Sequence, residues 1–168
     1  MSAKMKKAAR KPRRSETKAA TPAQPLQFLG TAIRELTYRE LTVPANMTVA
    51  ELQTNGALRE QSIVLQSQIG FAPPNLVEVS IHATMTPVGD VKAFDLSLKL
   101  SGLFAKTAEM SNREAAEALS EIGGRMLFPF IREALMTMTS KTFLGLIPVQ
   151  PIFLGPLFTD AQFAEIKD

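Results

Sequence analysis

The sequence predicts an α+β fold: a four-stranded antiparallel sheet covered by a long kinked helix, with a short C-terminal helix after it. Three observations carry this. Two segments alternate cleanly. Val77, Val79, Ile81, Ala83 and Met85 oppose Glu78, Ser80, His82, Thr84 and Thr86, and Phe94, Leu96, Leu98 and Leu100 oppose Asp95, Ser97, Lys99 and Ser101. Alternation of period two with one polar parity marks antiparallel strands that have one dry and one wet face. Next, Ser111-Asn112-Arg113-Glu114 has the spacing of a capping box and opens an apolar-periodic stretch. Last, the tail from Phe143 to Phe158 is rich in Leu, Ile, Val and Phe but broken by Gly145, Pro148, Pro151, Gly155 and Pro156. It is too apolar for an ordinary surface loop and too interrupted for a helix.

The elements follow in order. Residues 1–26 carry eight Lys or Arg and a single Glu, whereas the rest carries 11 positive and 15 negative charges, so an arm of +7 precedes a body of −4. The arm holds too few large apolar residues to offset its ordering entropy and is expected to be disordered, leaving 27–168 as the folded domain. It has no interleaved aromatics, which argues against specific single-strand recognition. Its charge leaves a nonspecific contact with nucleic acid open. Residues 31–43 read as the first strand. Ile33, Leu41 and Val43 fall on one parity and Leu36 and Tyr38 on the other, which predicts a bulge or an edge. Residues 45–61 form a long connection with room for a short helix.

Ser62–Gly70 is the second strand, with Ile63, Leu65 and Ile69 on one face. A turn at Phe71–Asn75 leads into the third strand, Leu76–Thr86. Pro87-Val88-Gly89-Asp90 closes a hairpin to the fourth, Val91–Phe104. The helix then runs to Lys141, with Ala115, Ala118, Leu119 and Ile122 expected on the inner face of its first half. Leu127, Phe130, Ile131, Ala134, Leu135 and Met138 form the stripe of its second half. Gly123-Gly124 loosens it and Pro129 is expected to kink it. Met126, Phe128 and Met136 fall outside that stripe. A helix apolar on two sides needs a second cover, most simply another copy of the chain. Thr159 or Asp160 caps a short terminal helix through Ile166.

Chemistry is sparse. With no cysteine there is no disulfide framework, thiol nucleophile or cysteine-based zinc site. The single histidine, His82, lies on the polar parity of a strand with no nucleophile or second ligand nearby in the sequence. Glu117 and Glu121 share a helix face, but exposed carboxylates at that spacing are ordinarily solvated. Gly123-Gly124 lacks the lysine and the strand-to-helix setting of a phosphate loop. The residues point to a non-enzyme that needs no metal or cofactor. No run of about 18 apolar residues predicts a membrane span, and no secretory core is present, so a cytoplasmic location is expected.

Leu127-Phe128-Pro129-Phe130, Arg132-Glu133, Ser140-Lys141-Thr142-Phe143, Gly102-Leu103-Phe104 and Leu157-Phe158, set in this order of elements, resemble the SecB family of protein-export chaperones. The resemblance covers about residues 31–166. It implies a homotetramer built as a dimer of dimers, with helices between sheets. It also implies an ATP-independent holdase that keeps unfolded polypeptides in apolar grooves and delivers them to the translocase motor SecA. Carried onto this chain, the client-binding candidates are Met47, Val49, Leu52 and Leu58 in the crossover connection. The loop and last helix add Leu144, Ile147, Val149, Ile152, Phe153, Leu157 and Phe163. Met126, Phe128, Phe130 and Met136 are the expected oligomer interface. Of the family's acidic SecA-docking positions, one falls near Glu40, while others fall on the uncharged Pro44 and Ser97. The acidic C-terminal tail is missing and the basic arm is unlike the family's usual start. These departures favour asking whether the chain serves Sec-dependent export or one dedicated client, such as an antitoxin. Outside the chaperone class the readings are a small enzyme using Glu117 and Glu121 and a structural adaptor with one fixed partner.

Overall fold

The structure is a computed structural model that describes residues 25–40, 47–48, 50–51, 61–88, 94–142, 145–149 and 155–166, with the side chains of Glu40 and Ala161 left aside. Four strands, β1 (Leu26–Glu40), β2 (Gln61–Ala72), β3 (Leu76–Pro87) and β4 (Phe94–Lys106), form one antiparallel sheet in the order β1-β4-β3-β2. The helix α1 (Asn112–Ser140) covers it, and a short helix α2 (Asp160–Ala164) follows.

The alternation in the sequence is the alternation of the sheet. Val77, Val79, Ile81, Ala83 and Met85 of β3 and Phe94, Leu96, Leu98 and Leu100 of β4 are all buried. They stand side by side in the register Ile81↔Leu100, Ala83↔Leu98 and Met85↔Leu96. Leu119, Leu127, Ile131 and Leu135 of α1 close this layer from above. The polar parity forms the opposite face. There Arg34 pairs with Glu78 at 3.2 Å, and Ser80 and Ser101 share a hydrogen bond of 2.9 Å.

β1 is an edge strand, and its mixed parity comes from two register shifts, between Phe28 and Gly30 and between Ile33 and Glu35. Each bulge switches which side chains face the core. The strand begins at Leu26, earlier than its expected start at Thr31, and so takes Leu26 from the expected arm. The cause is local packing. The Phe28 ring lies 5.3 Å from that of Phe104 and 6.2 Å from that of Phe130, and Pro25 O accepts a hydrogen bond from Thr107 N. The first bulge hid this continuation from a parity count. Residues 1–24 and most of the 41–60 connection lie outside the described residues; at Ala50-Glu51 the connection is helical, with Glu51 N donating to Thr48 Oγ1 and Thr48 N to Glu51 Oε2.

The capping box of α1 is formed: Glu114 N donates to Ser111 Oγ and Ser111 N to Glu114 Oε2. The helix continues without a break through Gly123, Gly124 and Pro129 to Ser140. Its buried positions differ from expectation at three places. Ile122, expected inside, is 41% exposed, and Phe130, expected in the inner stripe, is 39% exposed. Phe128, expected outside that stripe, is only 8% exposed.

The helix also has a second cover. After Ser140 the chain reverses and returns antiparallel to α1. Ile147 N donates to Thr139 Oγ1, Arg132 Nε donates to Val149 O at 2.7 Å, and Leu157 N and Phe158 N donate to Ser120 O and Oγ. Gly123 leaves room for Leu157, whose Cδ1 would lie 3.2 Å from an added Cβ. The chain's own tail therefore covers part of the helix's outer side: Phe128 is buried, while Met126 and Met136 remain partly exposed.

Candidate functional site

The tail does more than cover α1. It reaches β2, the second edge of the sheet. Ser67 Oγ donates to Leu157 O, and Gln162 Nε2 donates to Ser67 O at 2.8 Å. A capping box holds α2 in place, with Gln162 N donating to Thr159 Oγ1 and Thr159 N to Gln162 Oε1. Phe163 packs edge-to-face on Phe158, their centroids 6.2 Å apart. Between β2 and α2 lies a cavity of about 540 Å³ lined by Gln68, Ile69, Gly70 and Phe71 of β2, Asn112 of α1, and Gln162, Glu165 and Ile166 of the C-terminal segment. On the other side of the Gln162 bridge, a second cavity of about 400 Å³ opens over Gln66, Ser80, His82 and Lys99. Of the half-buried apolar stripe of β2, Ile69 and Phe71 line the first of these cavities, while Ile63 and Leu65 pack against the core. The arrangement suits a ligand that offers apolar side chains together with backbone amides.

A second apolar surface lies at the opposite edge. Thr31, Ile33, Leu36 and Leu100 of the sheet and Phe130, Ala134 and Met138 of α1 line a cavity of about 290 Å³. Ile33 is 53% exposed within it. On the outer side of α1, Pro129, Arg132, Met136 and Leu146 border a fourth recess.

The expected client-binding residues divide accordingly. Met47, Leu157 and Phe163 pack against the core while remaining partly exposed. Ile147 and Val149 are sealed inside it, at 5% and 0% exposure, because Thr139 and Arg132 bind their backbone to α1. As placed, they belong to the core and do not form a groove surface. Val49, Leu52, Leu58, Leu144, Ile152 and Phe153 lie outside the described residues. The four expected interface residues do not form one patch. Phe130 faces the β1 cavity, Met136 the outer recess, Met126 is half-buried and Phe128 is covered by the chain itself. The sequence reading missed Ser67, Ser120 and Gln162. Polar residues interrupting an apolar strand stripe and an inner helix face were the available signal for the first two.

The polar side chains singled out in the sequence have ordinary structural partners. His82 Nε2 shares a hydrogen bond of 2.7 Å with Ser97 Oγ on the wet face, and Glu117 pairs with Arg113 at 3.2 Å. The Glu78 carboxyl is held below its ordinary range, first by the Ser101 hydroxyl and then by Arg34, against the opposing effect of partial burial. Among the described residues, no cluster of His, Asp and Glu could hold a metal ion, and no helix is long and apolar enough to cross a membrane.

The fold is SecB-like. The chain superposes on the SecB-like chaperone Rv1957 of Mycobacterium tuberculosis, solved in complex with a ChAD peptide from the HigA1 antitoxin. The TM-score is 0.60 at 12% identity, over 77% of this chain and 88% of that one. A protein of unknown function from Streptococcus agalactiae aligns with a TM-score of 0.41 at 11% identity, over 76% of this chain and 97% of that one. No family model matches the sequence.

Proposed function

We propose that this protein is an ATP-independent holdase chaperone that binds non-native polypeptides in the groove between β2 and the C-terminal segment. The observation that carries the reading is the groove itself. The half-buried Ile69 and Phe71 of β2 line a cavity whose other wall, α2, is attached through a few side-chain hydrogen bonds. Such a wall adapts to different chains, and several apolar contacts in series give affinity without sequence choice. Each side chain fully buried contributes about 1.5–3 kcal/mol before ordering costs. The peptide bound by the SecB-like neighbour supports the same reading. Leu157 and Phe163 are the client contacts in the tail and Met47 the contact from the crossover. Val49, Leu52, Leu58, Leu144, Ile152 and Phe153 complete the set that the family resemblance implies.

The assembly we propose is the dimer of dimers implied by that resemblance, and it would use the β1 cavity around Ile33 and Phe130. The location we propose is cytoplasmic. A second reading is a chaperone dedicated to one client, and the antitoxin peptide of the neighbour favours it over general export. Delivery to SecA has less support in this chain, since Ser97 on the wet face is a neutral hydroxyl bound to His82.

Light scattering tests the function. Several unrelated proteins are diluted from denaturant with and without this protein, in the absence of ATP. A general holdase suppresses the aggregation of all of them at near-stoichiometric ratios. Suppression of one alone supports a dedicated chaperone, and suppression of none rejects the proposal.

A further inference from the structure

The two edges of the sheet are managed differently. Edge strands present unpaired amides, and proteins ordinarily blunt them with bulges, charges or prolines. β1 has two bulges and carries Arg34, Glu35, Arg39 and Glu40. β2 has none of these devices. Its twelve residues include no charge and no proline, and it pairs with β3 in unbroken register from Gln61↔Pro87 to Ala72↔Leu76. The acceptor at its middle, Ser67 O, is bound by an amide N–H that belongs to the Gln162 side chain. A carbonyl engaged there faces away from β3. Backbone groups alternate in direction along a strand, so Ile69 and Phe71 present their N–H and C=O groups to the same side. That side is the cavity between β2 and α2.

We infer that the outer edge of β2, from Ser67 to Phe71, is a strand-addition site for an extended segment of a client polypeptide. The client's main chain takes the place that the Gln162 amide now holds, and its alternate side chains enter the apolar stripe. This rests on the chaperone reading and gives it a mechanism. Main-chain hydrogen bonds are common to every polypeptide, so they add affinity without narrowing the client range. The geometry favours a short client segment over a second copy of this chain. A short segment at Ser67–Phe71 need displace only the Gln162 amide, whereas a strand of a second copy pairing along all of β2 would bring its own tail, held at Ser67 in the same way, against the same edge.

The test uses the full chain and a short synthetic peptide in which leucine and threonine alternate between terminal lysines. Two further versions carry N-methyl groups, one on every leucine and one on every threonine. In a paired strand only alternate amides point at the neighbour. With leucines on the dry face, antiparallel addition uses the leucine amides and parallel addition the threonine amides. The expected result is that one methylated peptide binds about tenfold or more weakly than the parent while the other retains its affinity. Equal affinity for all three, or equal weakening of both methylated forms, overturns strand addition and leaves a groove that works through side chains. If neither the parent peptide nor any unfolded protein binds, the chaperone reading falls as well. Sedimentation of the same mixtures checks the other occupant: dissociation of the protein into smaller species on adding peptide would assign the edge to a second copy and overturn the inference.

Discussion

Alanine at Gly102 and alanine at Gly123 are the same chemical change, yet the structure predicts opposite signs. Gly102 is in β4, where a Cβ would point into α1. It would overlap Leu127 Cδ2 and lie 3.0 Å from Leu127 Cδ1 and 3.2 Å from Cγ. Leu127 is fully buried, so it cannot swing into solvent, and the helix or the sheet must move instead. Overpacking of this kind costs about 1–3 kcal/mol, offset by about 0.5–1 kcal/mol from the lost chain entropy of glycine, so Gly102→Ala should destabilise by roughly 1–2 kcal/mol. At Gly123 the nearest atom is the end of the Leu157 side chain at 3.2 Å, and Leu157 is half-exposed and free to give way. There the gain of about 1 kcal/mol for alanine over glycine in a helix prevails, and Gly123→Ala should stabilise by about 0.5–1 kcal/mol. Urea unfolding followed by circular dichroism measures both. The midpoints should move in opposite directions at an unchanged slope. A neutral or stabilising Gly102→Ala would refute the claim that Leu127 is locked between helix and sheet.

Other consequences are read in the same way. Ser120→Ala leaves the buried Phe158 N–H without its acceptor, at a cost of about 1–3 kcal/mol, and should expose the segment after Gly155 to proteolysis before the sheet unfolds; cleavage no faster than in the parent would contradict the anchoring role. Ser111→Ala removes the acceptor of Glu114 N and should cost about 1 kcal/mol in the same urea assay. Glu78 has a pKa below its unfolded value, so its contribution to stability is present above the ordinary glutamate range and is lost as pH falls through the depressed folded value. Ser101→Ala should move the Glu78 titration, followed by NMR, upward toward the ordinary value, and no movement would reject the hydroxyl as the main cause.

Much of the fold was legible because two strands are buried on one face only. In β3 and β4 every second residue is apolar, and the structure buries that set. The capping box at Ser111 and the end of α1 near Lys141 were likewise set by local chemistry. β1 was harder, since its bulges break the parity on which such a reading depends. The helix faces were misassigned at Ile122, Phe128 and Phe130 for a different reason. A helical pattern shows that two sides are apolar, but not which tertiary segment covers each. Here a proline-broken tail does so, held by Thr139, Arg132 and Ser120. For the same reason Ile147 and Val149, which look like groove residues in sequence, are core residues in the fold. The groove's polar members, Ser67 and Gln162, are adjacent only through this tertiary return; Ser67 interrupts an apolar stripe, but nothing local pairs it with Gln162.

The central claim is that the protein distinguishes an unfolded chain from a folded one. The direct measurement is calorimetric titration with one secreted test protein in two forms, native with its disulfides intact and permanently unfolded after reduction and alkylation, without nucleotide. The account predicts saturable binding of the unfolded form with an affinity of about micromolar or better, and no binding of the native form. Binding both forms alike, or neither, would contradict it.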